Sequence, residues 1–213
     1  MGMSGTSSGV GGTAAGSPGG GQAGNSECES GADSPASGRS VEGDLLIVSP
    51  ADAEAAQDVS EITGSLEITT AFEGVLDLPN LVTVGGRVSI SGGSSADGQS
   101  VVWPGITELR LPNLTSIGDE LYVYLTDALV ETDLRSLTHV GYRVYYMRNL
   151  ALERIGLDAL SYADVSIQSC PVAAACEIDA ICARVGQTEC GRVYSDPDCT
   201  CNERCGRTES SCP

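Results

Sequence analysis

The stretch Leu111-Pro112-Asn113-Leu114-Thr115-Ser116-Ile117-Gly118-Asp119-Glu120-Leu121-Tyr122-Val123 holds both halves of the pattern that decides the fold. Its tail, Asp119 to Val123, alternates with period two, so Leu121 and Val123 face inward while Glu120 and Tyr122 face outward. Five other segments have the same form: Gly43-Asp44-Leu45-Leu46-Ile47, Gly64-Ser65-Leu66-Glu67-Ile68, Gly86-Arg87-Val88-Ser89-Ile90, Tyr142-Arg143-Val144-Tyr145-Tyr146 and Ala163-Asp164-Val165-Ser166-Ile167. The third residues of all six segments lie 21, 22, 33, 23 and 21 positions apart.

The head of the quoted stretch belongs to a second ladder with the same spacing. Leu78-Pro79-Asn80-Leu81 leads to Thr83-Val84-Gly85, and Leu111-Pro112-Asn113-Leu114 leads to Ser116-Ile117-Gly118. Leu134 and Leu137 lead to Val140-Gly141, and Leu157 and Leu160 continue the series without the glycine. A unit of about 22 residues that completes its core only against its neighbours is a solenoid coil. The predicted fold class is mainly β, a solenoid of five to six such coils. Gly85 and Gly118 precede strands at equivalent points and are expected at positive φ. The 33-residue step predicts an insertion near Gly92–Gly105, bulging from one corner.

Both ends of such a stack need covers. Ser49-Pro50-Ala51-Asp52 reads as a helix start, with an N-cap serine, proline at the first position and an acid at the third. This helix is expected to run to about Asp58. Pro171 is expected to open a second helix that Gly186 ends, with Ala174, Ile178, Ile181 and Val185 as its buried stripe.

Residues 1–40 are about half glycine and serine and read as a disordered linker. The solenoid with its caps is assigned to 41–188, and 189–213 to a cysteine-rich tail. Of nine cysteines, Cys170, Cys176, Cys182, Cys190, Cys199, Cys201, Cys205 and Cys212 crowd the C-terminal part. Without a CxxC pair they read as disulfides and not as a zinc site, which places the chain in an oxidising compartment. Cys176 and Cys182, six apart on the predicted helix, diverge too far to pair, and Cys28 is expected to be the odd cysteine. The expected location is therefore extracellular or at a cell surface. No signal peptide follows Met1, so an export signal is expected upstream. No apolar run is long enough to cross a membrane.

These features together resemble the receptor L domain family, leucine-rich-repeat-like β-helices of receptor ectodomains, in its bacterial exported form. The resemblance covers about Gly43 to Cys182. It implies a right-handed β-helix, exported, concerned with binding and without a catalytic site. The insertion and the cysteine-rich tail depart from the family pattern.

The chain has 29 acidic residues against 11 basic ones, all arginine, for a net charge of −18. That charge excludes nucleic acid and anionic lipid as partners, and the lack of lysine excludes P-loop and Schiff-base chemistry. His139, the single histidine, reads as a solvated turn residue. Glu67 and Glu120 are the paired carboxylates that would suit a polysaccharide-cleaving enzyme, at about 10 Å apart. Chance placement on so acidic a chain is the better account, so the chain is expected not to be an enzyme. No cofactor and no metal site are expected. Stacking the coils puts Tyr122 and Tyr124 beside Tyr145 and Met147 on the outer sheet face, with Arg87 and Arg143 one position earlier. Tyrosine, methionine and arginine together make a contact surface for a protein or glycan ligand. The competing reading is a structural surface protein in which the same residues are cross-strand pairs.

Overall fold

The computed structural model describes residues 38–94, 101–170, 172–188 and 190. Everything below concerns the unit that begins at Ala36. The chain runs β1 (Arg39–Val41), β2 (Leu45–Ile47), α1 (Pro50–Ala55), then β3 (Val59–Ile62), β4 (Leu66–Ile68) and β5 (Glu73–Asp77). Next come β6 (Thr83–Val84), β7 (Val88–Ser91), the pair β8 (Gly93–Ser94) and β9 (Val101–Val102), and β10 (Gly105–Arg110). The last elements are β11 (Ser116–Ile117), β12 (Leu121–Tyr124), β13 (Glu131–Asp133), β14 (His139–Met147), β15 (Tyr162–Gln168) and α2 (Ala175–Arg184).

The coils form a β-solenoid of about five turns. Each turn crosses one ten-stranded sheet twice, on either side of a corner; in the third and fourth turns the strand on the first side has two residues and the one on the second side four. The first-side strands stack in the order β1-β3-β6-β11-β14 and the second-side ones as β2-β4-β7-β12-β14-β15. β14 belongs to both halves because it runs unbroken through the corner that separates them elsewhere. The third side is the parallel sheet β5-β10-β13, extended by a bridge from Glu131 to Arg154. In the first turn α1 occupies this third side.

All six alternating segments pair in parallel with the register expected of them. Leu66, Val88, Leu121, Val144 and Val165 form one inward row, and Ile68, Ile90, Val123, Tyr146 and Ile167 form the next. The leucines of the second ladder, from Leu78 and Leu81 to Leu157 and Leu160, are all fully buried. Each such side chain contributes about 1.5–3 kcal/mol of transfer free energy, so stability accumulates along the axis. The asparagines of the Leu-Pro-Asn-Leu turns tie turn to turn. Asn80 Nδ2 donates to Gln57 O at 2.8 Å and Asn113 Nδ2 to Pro79 O at 2.7 Å.

The glycines are required for a different reason from the one expected. Gly85 and Gly118 do not have positive φ. A Cβ on Gly85 would lie within 3.0 Å of Thr63 O, one on Gly118 within 3.0 Å of Gly85 O, and one on Gly141 within 3.0 Å of Gly118 O. Successive turns meet backbone to backbone at this corner, and no side chain fits between them. Positive φ appears instead at Leu125, Arg148 and Ser169, which follow the strand in three successive turns.

Inside that second corner lies a buried polar ladder. Asn149 Oδ1 accepts from the Thr126 hydroxyl at 2.7 Å and the Thr126 amide at 3.2 Å, while its Nδ2 donates to Val123 O at 3.1 Å. Cys170 occupies the same place one turn later. It is a buried free thiol 3.8 Å from Asn149 Nδ2. Tyr146 crosses the interior, its hydroxyl 3.0 Å from Thr132 Oγ1.

At the N-terminal end Ser49 and Asp52 form a reciprocal capping box with Pro50 in the first turn. The helix stops at Ala55, short of Asp58, because Gln57 and Asp58 turn the chain into β3. β1 takes in Arg39 and Ser40, the end of the segment read as linker, whose other residues lie outside those described except Gly38. At the other end α2 starts at Ala175, later than expected, and Pro171 lies outside the described residues. Ala174 and Ile181 are buried, Ile178 and Val185 pack against the core, and Gly186 ends the helix at φ +76°. The cap also satisfies the last turn's backbone. Glu177 accepts from the amides of Ile155 and Gly156, Arg184 donates to Leu157 O, and Gln187 Oε1 accepts from Val165 N. Cys190 O accepts from Ile167 N, so β15 is partnered beyond its own sheet.

Cys182 is bonded to Cys190, and Cys176 is disulfide-bonded to another residue. Helical divergence keeps Cys176 and Cys182 apart, as expected. The expectation that Cys28 alone would be unpaired needs correction, because Cys170 is free. Its place in the polar ladder buries it. Cys28 and the insertion tip at 95–100 lie outside the described residues, and β8 and β9 form an antiparallel pair at the insertion's base.

Candidate functional site

The outer face of the second-side strands carries the candidate residues in straight rows. Tyr122 aligns with Ser89 on one side and Tyr145 on the other, and Tyr124 aligns with Ser91 and Met147. The Tyr122 and Tyr145 rings stack with centroids 5.2 Å apart and planes 10° from parallel, and Tyr124 tilts against Tyr122 at 5.8 Å. The Tyr145 hydroxyl donates to Met147 Sδ. Thus Tyr122, Tyr124, Tyr145 and Met147 form one half-exposed cluster.

Beneath it lies a carboxylate that the sequence reading had set aside. Glu120 is only 5% exposed, and it stands between Arg87 and Arg143 on the neighbouring strands. Arg143 Nη2 is 2.7 Å and Nε 3.0 Å from Glu120 Oε1, and Arg87 Nε is 3.4 Å from Oε2. The guanidiniums in turn cover the tyrosine rings: Arg143 lies 4.7 Å from the Tyr145 centroid and Arg87 lies 5.9 Å from that of Tyr122. Glu120 therefore fixes two cations, and the cations fix two rings. The hydrogen bond to Glu120 strengthens Arg143's hold on its proton, and partial burial raises the Tyr122 phenol above its ordinary value.

Glu120 and Glu67 do not form a carboxylate pair. Glu67 is exposed and aligns with Ser89 in the row of Tyr122, while Glu120 sits one row away and is committed to two arginines.

Two surface tyrosines, Tyr142 and Tyr162, were missed, and His139 was misplaced. Tyr142 is 58% exposed, with Arg143 5.5 Å from its ring centroid. His139 opens β14 and does not occupy a turn. It stacks on Tyr162 at 4.5 Å, 10° from parallel, and Tyr162 is 59% exposed. The separation of His139 and Tyr162 is 23 residues, one coil, so the repeat spacing itself could have revealed this pair.

Fold and surface together define a β-solenoid with a preorganised tyrosine–arginine face. No protein-family model, no curated protein and no solved structure matches the chain.

Proposed function

We propose that the chain is an extracellular or cell-surface binding module, of the receptor L type, that recognises a protein or glycan through its outer sheet face. Tyr122, Tyr124, Tyr145 and Met147 supply the contact, and Arg87 and Arg143 frame it. The observation that carries this reading is the half-exposed Tyr122–Tyr145 stack held over the buried Glu120. Ordering these side chains in advance removes an entropic cost that a partner would otherwise meet on binding. A chain built only for mechanical strength has no need of aromatic side chains gathered on two adjacent coils, after which the next coil returns to Ser166 and Gln168 at the same positions. The earlier coils carry Glu67, Thr69, Ser89 and Ser91 at the corresponding positions.

The disulfide between Cys182 and Cys190 supports an oxidising location. A net charge of −18 disfavours nucleic acid and anionic membranes. No helix among the described residues is long and apolar enough to span a membrane. A non-enzymatic role fits the commitment of Glu120 to arginine.

The structural reading has its own support, since each ring of the stack already has a partner within the chain. Screening the purified chain on glycan and protein arrays, beside Tyr122→Ala and Tyr145→Ala variants, separates the two. Recognition requires a ligand that the native chain binds and the variants lose. Ligands held equally by all three chains would contradict it.

A further inference from the structure

The aromatic surface does not end at the sheet face. Along β14 the chain presents His139, then Tyr142, then Arg143 and Tyr145, without a break in the strand. His139 and its stacking partner Tyr162 stand outward on the first side of the sheet, where Val140 marks the buried position. Tyr142 stands at the corner between halves. Ring and guanidinium contacts then run from Tyr142 through Arg143 to Tyr145 and Tyr122. Two faces of the solenoid thus share one exposed aromatic band, wrapped around a convex edge.

We infer that this band is a single interface, and that its occupant is a protein with a basic surface that straddles the β14 edge. The inference rests on the reading of the sheet face as a binding surface. Convexity argues for protein, since sites for small ligands are concave and enclosing. The rings of the Tyr122–Tyr145 pair contact each other and the two arginines, so the pair offers a newcomer mainly edges and hydroxyls. Such groups suit the polar and aromatic chemistry of protein interfaces.

Charge specifies the partner further. Arg87 and Arg143 share Glu120, and among the described residues Glu120 has no other cation. Glu67, Asp119 and Asp164 flank the band and enter no ion pair among the described residues, against one such exposed cation nearby, Arg148. The chain as a whole, at −18, steers cations toward it and repels acidic proteins.

The test selects a displayed random-peptide library on the full chain and measures synthetic copies of the enriched peptides by calorimetry, with a glycan array run in parallel. Enriched peptides should be net basic, and their affinity should fall about tenfold or more with Tyr142→Ala and with Tyr162→Ala, as with Tyr122→Ala. Glu120→Gln, which releases two arginine charges, should weaken the basic peptides and raise affinity for acidic ones. That reversal is a readout that loss of packing alone does not give. Peptides lost with Tyr122→Ala but unaffected by Tyr142→Ala and Tyr162→Ala would overturn the straddling interface and leave the sheet-face site standing. Enrichment of acidic peptides would overturn the basic partner, and a glycan lost with the same variants would overturn the protein. If neither an enriched peptide nor a glycan depends on any of these tyrosines, both this inference and the sheet-face site fall.

Discussion

Replacing Gly118 with alanine adds one methyl group at the corner where turns meet backbone to backbone. The new Cβ would lie within 3.0 Å of Gly85 O, far inside the roughly 3.3 Å at which a carbon and a carbonyl oxygen make contact. Gly118 cannot simply retreat, because its amide is held by Val84 O at 2.8 Å, and β11 on its N-terminal side is paired on both flanks. Forcing the methyl in costs about 3 kcal/mol, the upper end of overpacking. Loosening one ladder hydrogen bond adds about 1 kcal/mol. The stiffer unfolded chain returns about 0.7 kcal/mol. The net is a destabilisation of about 3 kcal/mol, or a fall in melting temperature of about 6–12 °C for a domain of this size. Urea and thermal unfolding would measure it. Gly43 is the control, since it has φ +85° and open space around its Cβ position. There alanine should cost about 1–2 kcal/mol and asparagine less, because asparagine tolerates the left-handed region. At Gly118 asparagine should be at least as damaging as alanine. A Gly118→Ala protein that melts with the native chain, or a Gly118→Asn protein more stable than Gly118→Ala, would refute the close-approach argument.

Asn149→Ala should cost about 2–4 kcal/mol in urea unfolding, because it leaves the Thr126 amide, the Thr126 hydroxyl and Val123 O without their buried partner. Burial raises the Tyr146 phenol well above its ordinary value of about 10, so the stability it confers is complete below that pH and is lost as pH rises toward the higher folded value. Tyr146→Phe should therefore flatten the alkaline end of the stability curve. Asp133 is shifted the other way by its hydrogen bonds from Arg135, so its contribution is present above the ordinary carboxylate value of about 3.9 and is lost as pH falls below it. Asp133→Asn should flatten the acid end. Breaking the disulfide with Cys190→Ser should cost about 2–3 kcal/mol by the loop-closure estimate for its short loop.

How much of this was legible in the sequence follows from what repeats. Inward residues such as Leu121, Val144 and Val165 recur at one spacing with one chemistry, so strands and register could be read directly. Ser49-Pro50-Ala51-Asp52 was equally legible because a capping box is local. Gly85 and Gly118 were recognised as special, but a close approach between turns is a long-range fact, and a lone glycine reads first as a φ requirement. The ladder of Thr126, Asn149 and Cys170 stayed hidden because three different residue types share one structural position. Glu120 was counted with the outward acids, since period two gives its side but not its burial. Both arginines that bury it come from other turns. The exposed aromatic pair of His139 and Tyr162 went unread because both residues lie outside the six alternating segments, at the N-terminal ends of β14 and β15, and only their 23-residue spacing marks them as partners.

The central claim is that the tyrosine stack exists for recognition and not for stability. The direct test measures unfolding free energy and ligand affinity on the same Tyr122→Ala and Tyr145→Ala proteins. Recognition predicts that each variant loses about 1–3 kcal/mol of binding to a ligand from the arrays while its unfolding free energy moves by less than about 0.5 kcal/mol. A stability loss of that larger size with affinity unchanged would show that the stack only braces the sheet, and would contradict the account.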